Sequence, residues 1–127
     1  MCGIYGIINY GGFLSNEQIE NFARNAGGSL EHRGPDDSNF FKIDDNVLLG
    51  HTRLSIIDLS GGLQPMANKN EDVWVTFNGE IYNYIELKVD LQAKGYNFLT
   101  SSDTEVLIKA FHFWGDNFSL LIFEELK

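Results

Sequence analysis

The alternation of apolar and polar residues predicts a strand at the start of the chain and a helix directly after it. Residues 2–9 alternate and are rich in Ile and Tyr, which is typical of a strand, and Gly11 and Gly12 form the turn that follows. Ser15 and Gln18 have the spacing of a capping box, with Leu14 and Ile19 placed as a hydrophobic staple. The helix should bury one apolar stripe, made by Ile19, Phe22, Ala23, Ala26 and Leu30.

The middle of the chain has the pattern of short antiparallel strands. Residues 39–43 and 47–51 predict a hairpin around residues 44–46, and residues 54–59 predict a further strand. Residues 60–70 have loop composition. Asn78-Gly79, between the apolar runs 73–77 and 80–84, carries a strong short hairpin signal and predicts a type I′ turn.

Two helices are predicted in the last third of the chain. The first covers residues 85–94 and ends with Gly95. The second starts at a capping box of Ser102 and Glu105, ends at Gly115, and should direct its apolar residues inward: Val106, Leu107, Ala110, Phe111 and Trp114. Short strands with tight connections outnumber the helices, so we expect an α+β fold with a largely antiparallel sheet.

Composition narrows the class of protein. With 127 residues, of which 43% are hydrophobic, the chain is one globular domain at most. Its formal net charge of -9 makes nucleic acid an unfavourable ligand. The opening segment lacks the basic n-region of a secretory signal and no apolar run approaches a membrane span, so we expect a cytoplasmic protein with no membrane partner. The histidines His32, His51 and His112 fit no metal-binding motif, and no metal site is expected.

Cys2, the only cysteine, is the first candidate for chemistry. Removal of Met1 would leave one residue with both a thiol and a free α-amine, and the amine's usual pKa of ~7.7–8.0 suits a general base near neutral pH. N-terminal Thr and Cys hydrolases are activated in this way. A small buried residue in the first strand is an equally good interpretation of the position.

Four other polar groups are candidate ligands, each with a structural alternative. His32 and Arg33 could bind a phosphate or carboxylate, although a charged turn is favoured. Arg53 could bind a substrate carboxylate or form a structural ion pair. Asn78 and Gly79 offer two neutral donors for an oxyanion, but the pattern alone favours a turn. Ser102 or Asp103 caps a helix, and the Asp103 carboxylate could also receive an ammonium group.

The order of these motifs resembles one enzyme family. MCGIYGI, EHRGPDDS, GHTRLSIID, LQPM, FNGEIYNY and SSDTEV are similar to successive motifs of the glutamine-hydrolysing domain of asparagine synthetase, over residues 2 to about 115. That domain is a class II glutamine amidotransferase and an N-terminal nucleophile hydrolase. The resemblance implies an α/β/β/α sandwich of mostly antiparallel sheets, which would extend over residues 1–127 as a partial domain.

The resemblance also assigns roles to individual residues. It implies that Cys2 is the nucleophile, with its own α-amine as general base, and that Asn78 and Gly79 form the oxyanion hole. It further implies a pocket for L-glutamine, in which Arg53 binds the α-carboxylate, Glu80 and Asp103 lie near the α-ammonium group, and backbone around Leu54, Ile56 and Ile57 lines the wall. No cofactor is implied for this domain, because ATP and Mg²⁺ would belong to the absent synthetase domain.

The end of the chain departs from the family pattern. The family continues with a core strand and then the synthetase domain, whereas this chain ends in SLLIFEELK. We therefore expect a fold incomplete at the C-terminus, a weakened or self-associating protein, and ammonia passed to a separate synthetase subunit. The alternative is a catalytically inactive remnant or an interaction subunit of a split synthetase.

Overall fold

The computed structural model describes residues 2–54 and 62–117. Their elements, in chain order, are β1 (Gly3–Ile8), α1 (Asn16–Ser29), β2 (Asp37–Lys42), β3 (Val47–Arg53), β4 (Met66–Ala67), β5 (Trp74–Val75), α2 (Tyr84–Ala93), α3 (Asp103–Trp114) and a 3₁₀ turn (Gly115–Asn117). Mixed helices and antiparallel strands agree with the predicted α+β class. None of the helices in these two ranges is both long and apolar enough to cross a membrane.

The larger sheet has three antiparallel strands in the order β1-β3-β2. Gly3 pairs with Thr52 at one end of the β1–β3 ladder, and Lys42 pairs with Leu48 beside the hairpin turn of β2 and β3. The predicted first strand and the predicted hairpin are both confirmed. The central position of β3 explains why four consecutive residues at its end, from Gly50 to Arg53, are buried.

Helix α1 starts as predicted and buries a narrower face than predicted. Its capping box is complete, with Ser15 and Gln18 each bonded to the other's backbone N–H. The buried positions are Ile19, Ala23 and Gly27, which follow one another at intervals of four residues, whereas Phe22 is 39% exposed. The predicted stripe is therefore wrong at Phe22. A Cβ on Gly27 would lie only 3.0 Å from the Tyr5 hydroxyl, so glycine here lets the helix approach β1 closely.

The predicted hairpin at Asn78-Gly79 does not form. β5 pairs instead with β4, which lies inside the predicted loop 60–70. A type I′ turn requires positive φ at both central residues, and neither Asn78 nor Gly79 has one. The chain leaves the sheet after β5 because Ile81 enters the core between the helices, where it is 3% exposed.

Helices α2 and α3 pack together on a second core formed by Ile81, Leu87, Leu91, Val106 and Ala110. The predicted glycine after α2 is confirmed, since Gly95 follows the helix with φ 92°. In α3 the prediction needs two corrections: Phe111 is 37% exposed, and the buried position on that side is Ile108.

The predicted capping box at Ser102 is only half formed. The Ser102 side chain accepts from the Thr104 N–H, as an N-cap residue does. Glu105 does not return to the Ser102 backbone; its carboxylate accepts from the backbone N–H groups of Leu99 and Thr100. The predicted strand 54–59 lies outside the described residues except for Leu54, which follows β3 as irregular chain, and so does the C-terminal run after residue 117.

Candidate active site

One open cavity of about 390 Å³ lies where the start of β1, the end of β3, the segment after β5 and the start of α3 meet. This volume falls within the ~300–1,000 Å³ typical of small-molecule sites. The structure brings seven of the nine sequence-predicted site residues around it: Cys2, Arg53, Leu54, Asn78, Gly79, Glu80 and Asp103. The other two, Ile56 and Ile57, lie outside the described residues.

Cys2 is half-buried and is held through its backbone and its sulfur. The Leu54 N–H donates to the Cys2 Sγ at 3.4 Å, and Arg33 Nε donates to the Cys2 carbonyl at 3.1 Å. The next residue, Gly3, donates its N–H to Thr52 Oγ1, so the start of β1 is bonded to β3. The predicted turn after α1 is confirmed by the backbone bonds from Arg33 to Leu30 and from Gly34 to Glu31. Within it, Arg33 also contacts the backbone of the candidate nucleophile.

β3 supplies Arg53 and His51 to the cavity from the same face, because residues two apart in a strand point the same way. Arg53, the last residue of β3, is 8% exposed. His51 is 3% exposed, and its Nε2 atom has no hydrogen-bond partner among the described residues. Burial lowers the pKa of His51 below its usual 6.5 and the nearby Arg53 charge lowers it further, while a backbone hydrogen bond with Phe77 and the charge of Asp37 oppose the shift.

The segment after β5 presents backbone and side-chain donors to the cavity. Asn78, Gly79 and Glu80 are exposed and have no regular secondary structure. Over the two described ranges, no hydrogen bond engages the amide of Asn78 or the N–H of Gly79. Two neutral donors are thus open to a ligand in the cavity, and the absence of the predicted turn leaves them so.

Asp103 is the first residue of α3, and its carboxylate is already oriented. Oδ2 accepts from the Ile81 N–H at 3.1 Å, and Oδ1 accepts from Thr104 Oγ1 at 3.4 Å. The cap itself is Ser102, so of the two candidates for that task only Ser102 performs it. The Asp103 carboxylate is left facing the cavity.

Sequence reasoning missed several residues that line the cavity, notably His51, Gln64, Phe77, Tyr82 and Thr104. His51 could have been found, since it lies two residues from Arg53 in a predicted strand and shares its face. Gln64 had a weaker signal, a polar residue between Leu63 and Pro65 in a predicted loop. Among the described residues no group of three His, Cys, Asp or Glu side chains is arranged to hold a metal ion.

Comparison with known proteins gives one family and one group of relatives. The family model described as a glutamine amidotransferase domain matches residues 1–122. The glutamine-hydrolysing asparagine synthetases 1 and 3 of Bacillus subtilis (strain 168) are 45% and 40% identical to this chain, over 87% and 92% of its length. The glutamine-hydrolysing asparagine synthetase 2 of Oryza sativa subsp. japonica is 38% identical over 93% of the chain. The chain spans only 17–19% of these three relatives.

Proposed function

Because the chain belongs to the family of glutamine amidotransferase domains, we propose that its cavity binds L-glutamine and hydrolyses it to glutamate and ammonia. The observation that carries the proposal is the convergence on one cavity of the only cysteine, two open neutral donors, a buried guanidinium and an oriented carboxylate. A nucleophile, an oxyanion site and groups for both charges of an amino acid are the parts that this reaction requires.

Cys2 is the proposed nucleophile, and its own α-amine is the proposed base after Met1 is removed. The Cys2 Sγ attacks the carboxamide carbon of glutamine while the amine takes the thiol proton. The C–N bond then breaks, ammonia leaves with that proton, and a glutamyl thioester remains. Water hydrolyses the thioester to glutamate and regenerates the thiol. The contacts of Leu54 and Arg33 with Cys2 support this role, because they limit the positions the sulfur can adopt.

Asn78 and Gly79 are the proposed donors to the oxyanion that forms on the carboxamide oxygen. Both are neutral, so they stabilise developing negative charge without binding a carboxylate tightly in the ground state. Their lack of competing hydrogen bonds in the described chain supports the assignment.

Arg53 is the proposed partner of the α-carboxylate, and Asp103 with Glu80 the partner of the α-ammonium group. An Arg guanidinium binds a carboxylate through two parallel hydrogen bonds. An amino acid offers the Arg53 guanidinium a carboxylate that a simple amide lacks, so the site should favour an amino acid over other amides. The described part of the fold has the helix-on-sheet packing expected of an N-terminal nucleophile hydrolase sandwich, and we propose that architecture for the domain.

The similarity to asparagine synthetases suggests where the ammonia goes. We propose that it serves asparagine synthesis in the cytoplasm, at a site beyond these 127 residues, where ATP and Mg²⁺ would also act.

The test is to measure glutamate and ammonia release by the 127-residue chain and by the Cys2→Ala variant, with intact-mass measurement of the N-terminus. We expect loss of Met1, equal release of the two products by the wild type, and none by the variant. An electrophilic glutamine analogue, a diazo ketone, should label Cys2 and no other residue. If Cys2→Ala hydrolyses glutamine at the wild-type rate, the assignment of the nucleophile is wrong. If the wild type neither hydrolyses glutamine nor takes up the label, the proposed function fails for this chain.

A further inference from the structure

Gln64 joins two walls of the cavity through one buried amide. The side chain is 9% exposed, its Oε1 accepts from the Phe77 N–H at 2.5 Å, and its Nε2 donates to Thr104 Oγ1 at 3.2 Å. These partners are 13 and 40 residues away in sequence. Gln64 therefore connects the segment that precedes Asn78 with the first turn of α3.

The segment that carries the two open donors is fixed only at its ends. Before the donors, Thr76 Oγ1 donates to the Gly50 carbonyl, Phe77 donates to Gln64, and the Phe77 backbone also bonds His51. After the donors, Ile81 donates to Asp103. Between these anchors the chain has no regular structure and no backbone hydrogen bond in the described ranges. The position of the donors is consequently set by the anchors.

The Phe77 ring contacts Gly79 directly, so the position of Phe77 affects that of Gly79. A Cβ built on Gly79 would lie 2.7 Å from the Phe77 ring, so the ring is packed against the Gly79 backbone. Any shift of the Phe77 main chain moves that ring and the adjacent Asn78. The hydrogen bonds of Phe77 with Gln64 and with His51 are thus the anchors closest to both donors.

We propose that Gln64 is a positioning residue for the oxyanion site, holding Phe77 so that the Asn78 amide and the Gly79 N–H converge on one point in the cavity. This inference rests on the proposed glutamine hydrolysis. Because an oxyanion exists only in the transition state, loss of the anchor should lower kcat and leave KM nearly unchanged. Asp103 keeps its own bond to Ile81, so the proposed contact with the substrate's ammonium group is preserved.

The kinetic test uses Gln64→Met, which keeps length and removes both hydrogen bonds. A small displacement of catalytic groups costs up to ~100-fold, so we expect kcat to fall about 10- to 100-fold. Thr104→Val leaves the Phe77 bond intact and removes the second bond of the amide together with the hydroxyl's bond to Asp103, so it should lower kcat less. Thr104→Ser keeps the hydroxyl and should retain the wild-type kcat. A merely structural role would not produce a kcat-specific loss that is rescued by serine.

Asn9→Leu is the matched control. Asn9 is also a buried amide, 5% exposed, with two hydrogen bonds, both to the Leu14 backbone, but it does not line the cavity. It should lower the melting temperature as Gln64→Met does without changing kcat at a temperature where both variants are folded. If Gln64→Met loses no more kcat than Asn9→Leu, or if its loss appears in KM instead, the proposal is overturned.

A second measurement does not depend on activity. Amide hydrogen exchange of the ¹⁵N-labelled chain should show the Phe77 N–H protected in the wild type. In Gln64→Met its exchange should be at least about fivefold faster, the change expected from one lost hydrogen bond. The resonances of Asn78 and Gly79 should shift in the same variant and not in Asn9→Leu. If the wild type proves inactive, the proposed function fails while this measurement still decides on the anchor. Unchanged Phe77 exchange in Gln64→Met overturns it.

Discussion

Glu105→Gln should destabilise the fold far more than the same change at another helical glutamate. The Glu105 side chain is almost fully buried, and its carboxylate accepts from Leu99 N–H, from the N–H and hydroxyl of Thr100, and from the Lys109 ammonium. Gln replaces one carboxylate oxygen with an NH₂ group, which cannot accept hydrogen bonds from these donors and would face them as a further donor. Losing one charge-assisted bond and weakening the others should cost about 2–4 kcal/mol of unfolding free energy.

Glu20→Gln is the control for that change. Glu20 pairs with Arg24 one turn along α1, the same spacing as Glu105 and Lys109, but both side chains are largely exposed. An exposed pair of this kind contributes less than about 1 kcal/mol. The contrast between the two variants therefore measures burial and the backbone bonds, since the substitution and the helical spacing are the same.

The stabilising effect of Glu105 should depend on pH in a definite direction. Burial alone would raise the pKa of Glu105, but the hydrogen bonds from Lys109, Leu99 and Thr100 outweigh it and hold the pKa below the usual 4.5. A lowered carboxyl pKa means that the unfolded chain binds the proton more readily. The contribution of Glu105 to stability is therefore complete above pH 4.5 and is lost as the pH falls through the folded pKa.

Urea unfolding followed by tryptophan fluorescence and far-UV circular dichroism at pH 7.5 would measure both variants. Repetition toward acid pH should narrow the difference between wild type and Glu105→Gln. If Glu105→Gln and Glu20→Gln lose the same unfolding free energy at pH 7.5, the carboxylate does not anchor residues 99–100 to α3, and the reasoning is refuted.

Three further variants test the cavity and its support. Asn78→Ala should lower kcat for glutamine hydrolysis by ~10²–10³ with little change in KM, and a KM effect alone would argue against an oxyanion donor. Gly34→Ala should cost about 1–3 kcal/mol of unfolding free energy and raise KM, because the new Cβ would lie 2.3 Å from the Thr52 carbonyl carbon and 2.5 Å from the Arg53 N. The control is Gly28→Ala, whose Cβ would have no atom within 4 Å, and it should be neutral or stabilising in urea unfolding. Because burial lowers the pKa of His51, the folded state resists its protonation, and the wild type should lose stability as the pH falls below 6.5. His51→Gln should remove that loss. Urea unfolding between pH 5 and 7.5 in which wild type and variant change alike would contradict this.

Features that depend on a few neighbouring residues could be predicted from the sequence. The capping box of Ser15 and Gln18, the glycine after α2 and the hairpin of β2 and β3 each involve partners close in the chain. Their geometry follows from local backbone and hydrogen-bond chemistry, which a short stretch of sequence specifies by itself. Seven predicted site residues also meet at one cavity, but their motifs, rather than their spacing, indicated that they belong together.

The tertiary structure decided whatever depends on partners far away in the chain. Asn78-Gly79 has the local signal of a type I′ turn, yet burial of Ile81 and its bond to Asp103 draw the chain toward the helices and leave the donors open. Glu105 has the spacing of a capping box, but it turns to the backbone of residues 99–100. Burial of apolar area and several hydrogen bonds to a buried carboxylate contribute more free energy than one local turn or cap, so the long-range contacts prevail where the two conflict. Gln64 shows the same limit, because nothing within its own loop indicates that its partners are Phe77 and Thr104.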